Sequence, residues 1–295
     1  MKKALLTIFI FFAVITTGWL FAISQSNASG SVTITIGGYN NYAPFGYMDE
    51  NDKWKTVFQK VFENMAAEID ANIVYKFYDI KDTDIIARDI REAKVDLFIG
   101  AYNQTDEFEN LYLIFPAIVS NPVALFVLPS QISEIKSLED MKKLRGARYS
   151  GEVFNDFVEN KLQTYNLERI DSAYDMFEKL FTKKIDYILS GYYFGMIEAV
   201  KIGINHQIAA SKQTLLNIPV FVGITQMSPY RDLIARHVNR YFQDEKVVAD
   251  IKDNFRAILE DFENKYAGVV PPTFGLEKEV AADKNKVEEV SALKE

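Results

Sequence analysis

The chain alternates short β-rich runs with longer helical stretches, and it does so twice. In the first half "SVTITIG", "NIVYKFY" and "VDLFIG" read as strands, the last a continuous apolar run suited to burial on both faces. Between them "KTVFQKVFENMAAEI" puts Val57, Val61, Met65 and Ile69 on one helical stripe, and "DTDIIARDIREA" reads as a helix opened by Asp82. A β-α-β-α-β order favours a parallel sheet with helices on its faces, because parallel neighbours need a crossover. The pattern then restarts. "SLEDMKKL" reads as a short helix capped by Ser137, "GARYS", "ERIDSA" and "IDYILS" as strands, and "VFNDFVENKLQTY", "AYDMFEKLFT" and a stretch from about residue 192 to 201 as helices.

Two extended, apolar, proline-marked segments frame the second unit: "FPAIVSNPVALFVLPS" before it and "NIPVFVGITQ" after it. They read as two strands carrying the chain out to a second lobe and back. The expected division is 31–119 plus 222–266 for the first lobe and 124–217 for the second. Two amphipathic helices close the structure. In the longer one Val247, Val248, Ile251, Phe255, Ile258, Leu259 and Phe262 share a face. Residues 276–295 hold ten charged residues and no aromatic ring, which points to a solvated, disordered tail.

The N-terminus has the layout of a secretory signal: Lys2 and Lys3, an uncharged run over residues 4–22, then small polar residues. Ser26 and Ala28 offer small residues for cleavage after position 28. The 19-residue run is also just long enough to span a bilayer, so an uncleaved anchor is the alternative. Both place the rest of the chain beyond the membrane, in the periplasm. Cysteine is absent, which excludes disulfides and leaves an exported protein stabilised by its core. Loss of Lys2 and Lys3 takes the formal charge from −8 to −10, which argues against nucleic acid as a partner.

Signals of catalysis are scarce. His206 and His237 are the only histidines and have no metal-ligand spacing. "GARYSGE" has the glycine spacing of a phosphate loop but carries Glu152 where lysine is needed, and a carboxylate there would repel phosphate. Neither a catalytic residue nor a metal or cofactor is expected.

One stretch resists a bland reading. "NYAPFGYMDE", residues 41–50, puts aromatic residues, a proline and a glycine where the first strand ends. With "IREAKVDLFIGAYNQTDEF", "IKSLEDMKKLRGARYSGEVF", "KKIDYILSG" and "VGITQMSPYRDLIARHVNRYF", it resembles, in the right order, the segments of bacterial extracellular solute-binding proteins of family 3, the amino-acid-type periplasmic components of ABC importers. The resemblance runs from about residue 32 to 243. It implies an α/β fold of two lobes joined by two crossing strands, a type II-like periplasmic binding protein, with a small-molecule ligand in the interlobe cleft, a membrane permease or receptor as partner, and a monomer. The cleft-facing positions it suggests are Tyr42, Tyr102, Asn103, Phe108, Ser150, Glu152 and Tyr192, with Tyr149 and Tyr193 beside them. Tyr42 is expected to stack on the ligand, whereas Phe45 packs the rim.

The departures are as informative. Phe108 occupies the position of the family's carboxylate-binding arginine, and Gly191 that of its ammonium-binding acid. Charged hydrogen bonds are worth about 1.5–3 kcal/mol each, so their joint loss should exclude ordinary amino acids. An aromatic-rich cleft with one carboxylate suits a planar or cationic ligand instead. Two alternatives to uptake stay open: a sensory or interaction module of the same fold held at the membrane, and a periplasmic dehydratase-like enzyme, which would need a cationic anchor that these segments lack.

Overall fold

The structure, a computed structural model, describes residues 32–49, 51–102, 108–131, 138–152, 154, 156–211 and 216–274. The expectations for residues 1–28, Asn103, Ser137 and 276–295 lie outside the described residues. The first unit comprises β1 (Val32–Tyr39), the short strands β2 (Asn41–Tyr42), β3 (Gly46–Met48) and β4 (Trp54–Lys55), then α1 (Gln59–Glu68), β5 (Ala71–Tyr78), α2 (Thr83–Arg91), β6 (Leu97–Ala101) and β7 (Leu111–Leu113). β8 (Val119–Val127) leads out to α3 (Leu138–Met141), β9 (Gly146–Tyr149), α4 (Asp156–Leu162), β10 (Leu167–Ile170), α5 (Ala173–Phe181), β11 (Tyr187–Gly191), α6 (Tyr192–Ile202) and β12 (Ala209–Ala210). β13 (Leu216–Thr225) returns to α7 (Arg231–Gln243) and α8 (Glu245–Lys265).

The strands hydrogen-bond in the order β10-β9-β11-β8-β13-β6-β1-β5. Within the first lobe β1 is parallel to β5 and β6; within the second β9 is parallel to β10 and β11. The long strands β8 and β13 run antiparallel to each other from Val119↔Val220 to Val123↔Leu216. Beyond that ribbon β8 continues along β11, and β13 along β6 and β7. Each proline-marked segment is therefore a strand shared by both lobes. Pro122 stands opposite Asn217 and Pro219 opposite Ser120, and each proline removes one N–H donor from the ribbon. This is the two-lobe α/β architecture expected from the sequence.

Some local readings change. The aromatic loop is a three-stranded ribbon, β2-β3-β4, pinned where the Trp54 indole N–H donates to the Tyr39 carbonyl at 2.7 Å. Asp82 precedes α2 as expected, yet its carboxylate accepts from the Asp79 N–H (3.1 Å) rather than from the helix. β10 stops at Ile170 because Ser172 caps α5, its hydroxyl accepting from the Asp175 N–H at 3.2 Å.

The first lobe's sheet is sealed by Ile34, Ile36, Leu97, Phe98 and Ile99, all with no exposed surface. A buried carboxylate ties this sheet to the returning chain. Asp96 accepts from the Thr35 N–H (2.8 Å) and the Ser228 hydroxyl (2.6 Å), joining β1 to the start of α7. Asp96→Ala strands both donors in the core and is expected to cost about 1–3 kcal/mol in chemical denaturation. An unchanged midpoint would show that Ser228 and Thr35 find other partners.

α8 serves both lobes. Phe255, on its buried face, packs on Phe45 of the first lobe (5.6 Å between ring centroids) and Tyr193 of the second (5.0 Å). Two turns later Phe262 packs on Tyr47 (5.4 Å, tilted) and lies under the Lys201 ammonium of α6 (5.8 Å). The chain then runs on along the second lobe. Gly203, at φ +80° after α6, has the Val269 carbonyl against it where a side chain would start, and Phe274 packs on Phe181 (4.9 Å) and Tyr174 (5.4 Å).

Candidate functional site

The site forms where the β8–β13 ribbon, the end of β11 and the aromatic ribbon meet. Tyr42 ends β2, and a tight turn follows, with the Phe45 N–H donating to the Tyr42 carbonyl at 3.0 Å. This turn stacks the Tyr42 and Phe45 rings at 5.8 Å and 24°. Phe194 of α6 also stacks on Tyr42, at 5.5 Å and 30°. The Tyr42 ring thus meets one aromatic from each lobe and is only 2% exposed.

Its hydroxyl reaches the second lobe's carboxylate: Tyr42 donates to Glu152 Oε1 at 3.0 Å. Glu152 follows β9 in a loop held by Arg148, whose guanidinium donates to the Glu152 carbonyl and to Glu159 (2.8 and 3.0 Å). The Ser190 hydroxyl donates to Oε2 (2.6 Å) and the Gly191 N–H to Oε1 (2.9 Å). Gly191 is the N-cap of α6, so the carboxylate also lies at the positive end of a helix. From β8, the Asn121 amide donates to the hydroxyls of Tyr42 (2.7 Å) and Tyr102 (3.1 Å). Glycine is required at 191, since a Cβ there would stand 2.5 Å from Asn121 Nδ2.

Glu152 is 1% exposed, and burial pushes its carboxyl up to about 7; the Ser190, Gly191 and Tyr42 hydrogen bonds and the Arg148 charge oppose that rise. Burial also raises Tyr102 to about 12 and Tyr42 well above the usual phenol, with Tyr102 and Glu152 adding to the latter. Both phenols are neutral donors at any physiological pH. One buried acceptor stays unmet: Asn121 Oδ1 has no hydrogen-bond partner.

Tyr42, Tyr102 and Glu152 are therefore brought together. Ser150 lies beside them in sequence, but its N–H goes to Ile170 (2.9 Å) and its carbonyl to Arg169 (3.3 Å), both on β10. Phe108 turns into the first lobe's core against Phe98 (5.4 Å). Tyr192 faces Phe126 (6.4 Å, stacked) and lines a separate surface cavity of about 570 Å³ with Tyr193, Pro122 and Met196. Asn103 lies outside the described residues. Sequence reasoning did not select Asn121, Ser190 or Phe194. The available signal was the Ser120–Asn121 pair in the otherwise apolar "VSNPVALFV" and the lone Ser190 in "YILSG".

No family model matches the chain, and no curated protein matches it. Solved structures do. A histidine kinase sensor domain with similarity to periplasmic binding proteins aligns at TM-score 0.56 and 16% identity, over 82% of this chain and 99% of that one. An ancestral arginine-binding protein bound to arginine aligns at 0.56 and 18%, over 80% and 98%. An amino acid ABC transporter substrate-binding protein from Streptococcus pneumoniae, bound to L-arginine, aligns at 0.57 and 16%, over 79% and 94%. The fold is that of the two-lobe periplasmic binding proteins.

Proposed function

We propose that this chain is an exported, divergent family 3 binding protein, whose lobes move against each other at the β8–β13 ribbon in response to a small molecule. It works by binding, without catalysis. The observation that carries the reading is the buried contact between Tyr42 of one lobe and Glu152 of the other, at the base of the ribbon. A ligand that enters between the lobes must compete with that contact.

The chemistry there favours a planar or cationic compound over an ordinary amino acid. Once the lobes part, the ring faces of Tyr42 and Phe194 that now cover each other suit a flat or positively charged group. Asn121 Oδ1 is a buried acceptor whose unmade hydrogen bond costs about 1–3 kcal/mol, and a ligand N–H would supply it. Delivery to a permease is one use of such a module. A sensing role, for a chain held at the membrane by residues 4–22, is the second. The α8 contacts with both lobes favour it, because they make the interlobe angle the quantity that a partner could read.

A thermal-shift screen of the twenty amino acids beside polyamines, nucleobases and quaternary amines tests the reading. A ligand at about 100 times its Kd stabilises by about 2.7 kcal/mol, a melting shift of roughly 5–10 °C in a chain of this size. A shift is expected from planar or cationic compounds and from no standard amino acid. Tight binding of an L-amino acid, lost on esterifying its α-carboxylate, would overturn the ligand class.

A further inference from the structure

The donors around Glu152 come from separate parts of the chain and converge on one carboxylate. Ser190 Oγ, the Gly191 N–H and Tyr42 Oη approach its two oxygens at 2.6, 2.9 and 3.0 Å. Ser190 is fully buried, and the other donors lie on β2 and at the N-terminus of an eleven-residue helix. A neutral core position would not collect three donors, because each must be desolvated to get there. Beyond its Cβ, a glutamate side chain has the atoms of an acetate ion.

We infer that this cradle is a receptor for a small carboxyl group that the chain fills with its own Glu152. This extends the proposed function: the protein carries inside it the carboxylate that an acidic ligand would bring, so its external ligands are carboxylate-free. Glu152 also bridges the lobes as a shared ligand would, since its Oε1 takes bonds from Gly191 on one side and Tyr42 on the other. Closure is then intramolecular, and an external compound acts by altering a contact already made.

The test is chemical rescue. Glu152→Ala vacates the cradle but keeps every donor. At pH 5, where acetic acid is present beside the anion, acetate is expected to raise the melting temperature of Glu152→Ala saturably, by roughly 5 °C or more, relative to chloride at equal ionic strength. Wild type and Glu152→Gln, whose cradles stay filled, are expected to show no such shift. Should Glu152→Ala not fold in chloride, recovery of folded protein on refolding in acetate is the same readout. No response of Glu152→Ala in either format, or an equal response in all three proteins, would overturn the inference. The assay uses acetate alone, so it can fail while the ligand screen succeeds, and the reverse.

Discussion

Replacing Tyr42 by alanine is expected to destabilise the protein by about 3–5 kcal/mol and to let the lobes part. The magnitude is that of deleting a large ring from a close-packed site that can collapse only in part. Here the cavity would lie between Phe45 and Phe194, on the boundary of two bodies rather than inside one. The same change deprives Glu152 of the donor that the first lobe supplies and takes an acceptor from the Asn121 amide. Tyr42→Phe separates the two effects. It keeps the ring between its neighbours and is expected to cost only the hydrogen-bond share, about 1–3 kcal/mol. Urea unfolding gives the stabilities, and small-angle scattering gives the lobe separation. A Tyr42→Ala protein with a wild-type midpoint and radius of gyration would mean that the ribbon and α8 hold the lobes together without it.

How much of this was legible in the sequence depends on the distance over which each feature is made. The two β/α units were legible because helical and strand periodicity are local, and their restart after "FPAIVSNPVALFVLPS" marked the crossing strands. Tyr42 and Glu152 stood out because each breaks a local expectation, an aromatic in a turn and an acid in a phosphate-loop spacing. The bond between them was not legible, as 110 residues separate the partners. Asn121 and Ser190 were missed for a related reason. One or two polar residues in an apolar strand give no sign of facing another lobe until the strand's neighbours are known. The aromatics behaved the same way. Phe108 and Tyr192 match cleft positions by order along the chain, but the backbone of each determines which way the ring turns, and here they pack on Phe98 and Phe126. The ribbon β2-β3-β4 went unread because its two- and three-residue strands are too short for a period-2 pattern.

The second large effect is a pH dependence that Glu152→Gln should remove. The Glu152 carboxyl goes from 4.5 in the unfolded chain to about 7 in the folded one, with burial as the main cause. An acid whose pKa rises on folding contributes stability that is full below pH 4.5 and is lost as the pH climbs through about 7. At 1.36 kcal/mol per pH unit that loss is about 3 kcal/mol. Glutamine fits the same cradle without a charge. Its carbonyl can accept from the Gly191 N–H and the Tyr42 hydroxyl, as Oε1 does now. Its amide can donate to Ser190 Oγ, whose own proton can turn to the Gly191 carbonyl at 3.3 Å. The titrating groups facing Glu152 are Arg148 on β9, Tyr42 on β2 and Tyr102 after β6; both phenols are raised and stay neutral throughout this range. Carboxylates elsewhere act in the opposite sense, as with Glu68, held down to about 2 by the Tyr241 hydroxyl and Arg240, but they are common to both proteins and cancel in the difference. Denaturation of the pair at pH 4 and pH 8 should therefore show near-equal stability at the lower pH and a glutamine variant more stable by about 3 kcal/mol at the higher. A difference that does not change with pH would mean that Glu152 keeps its proton, or its charge, throughout, and that the interlobe contact does not respond to acid.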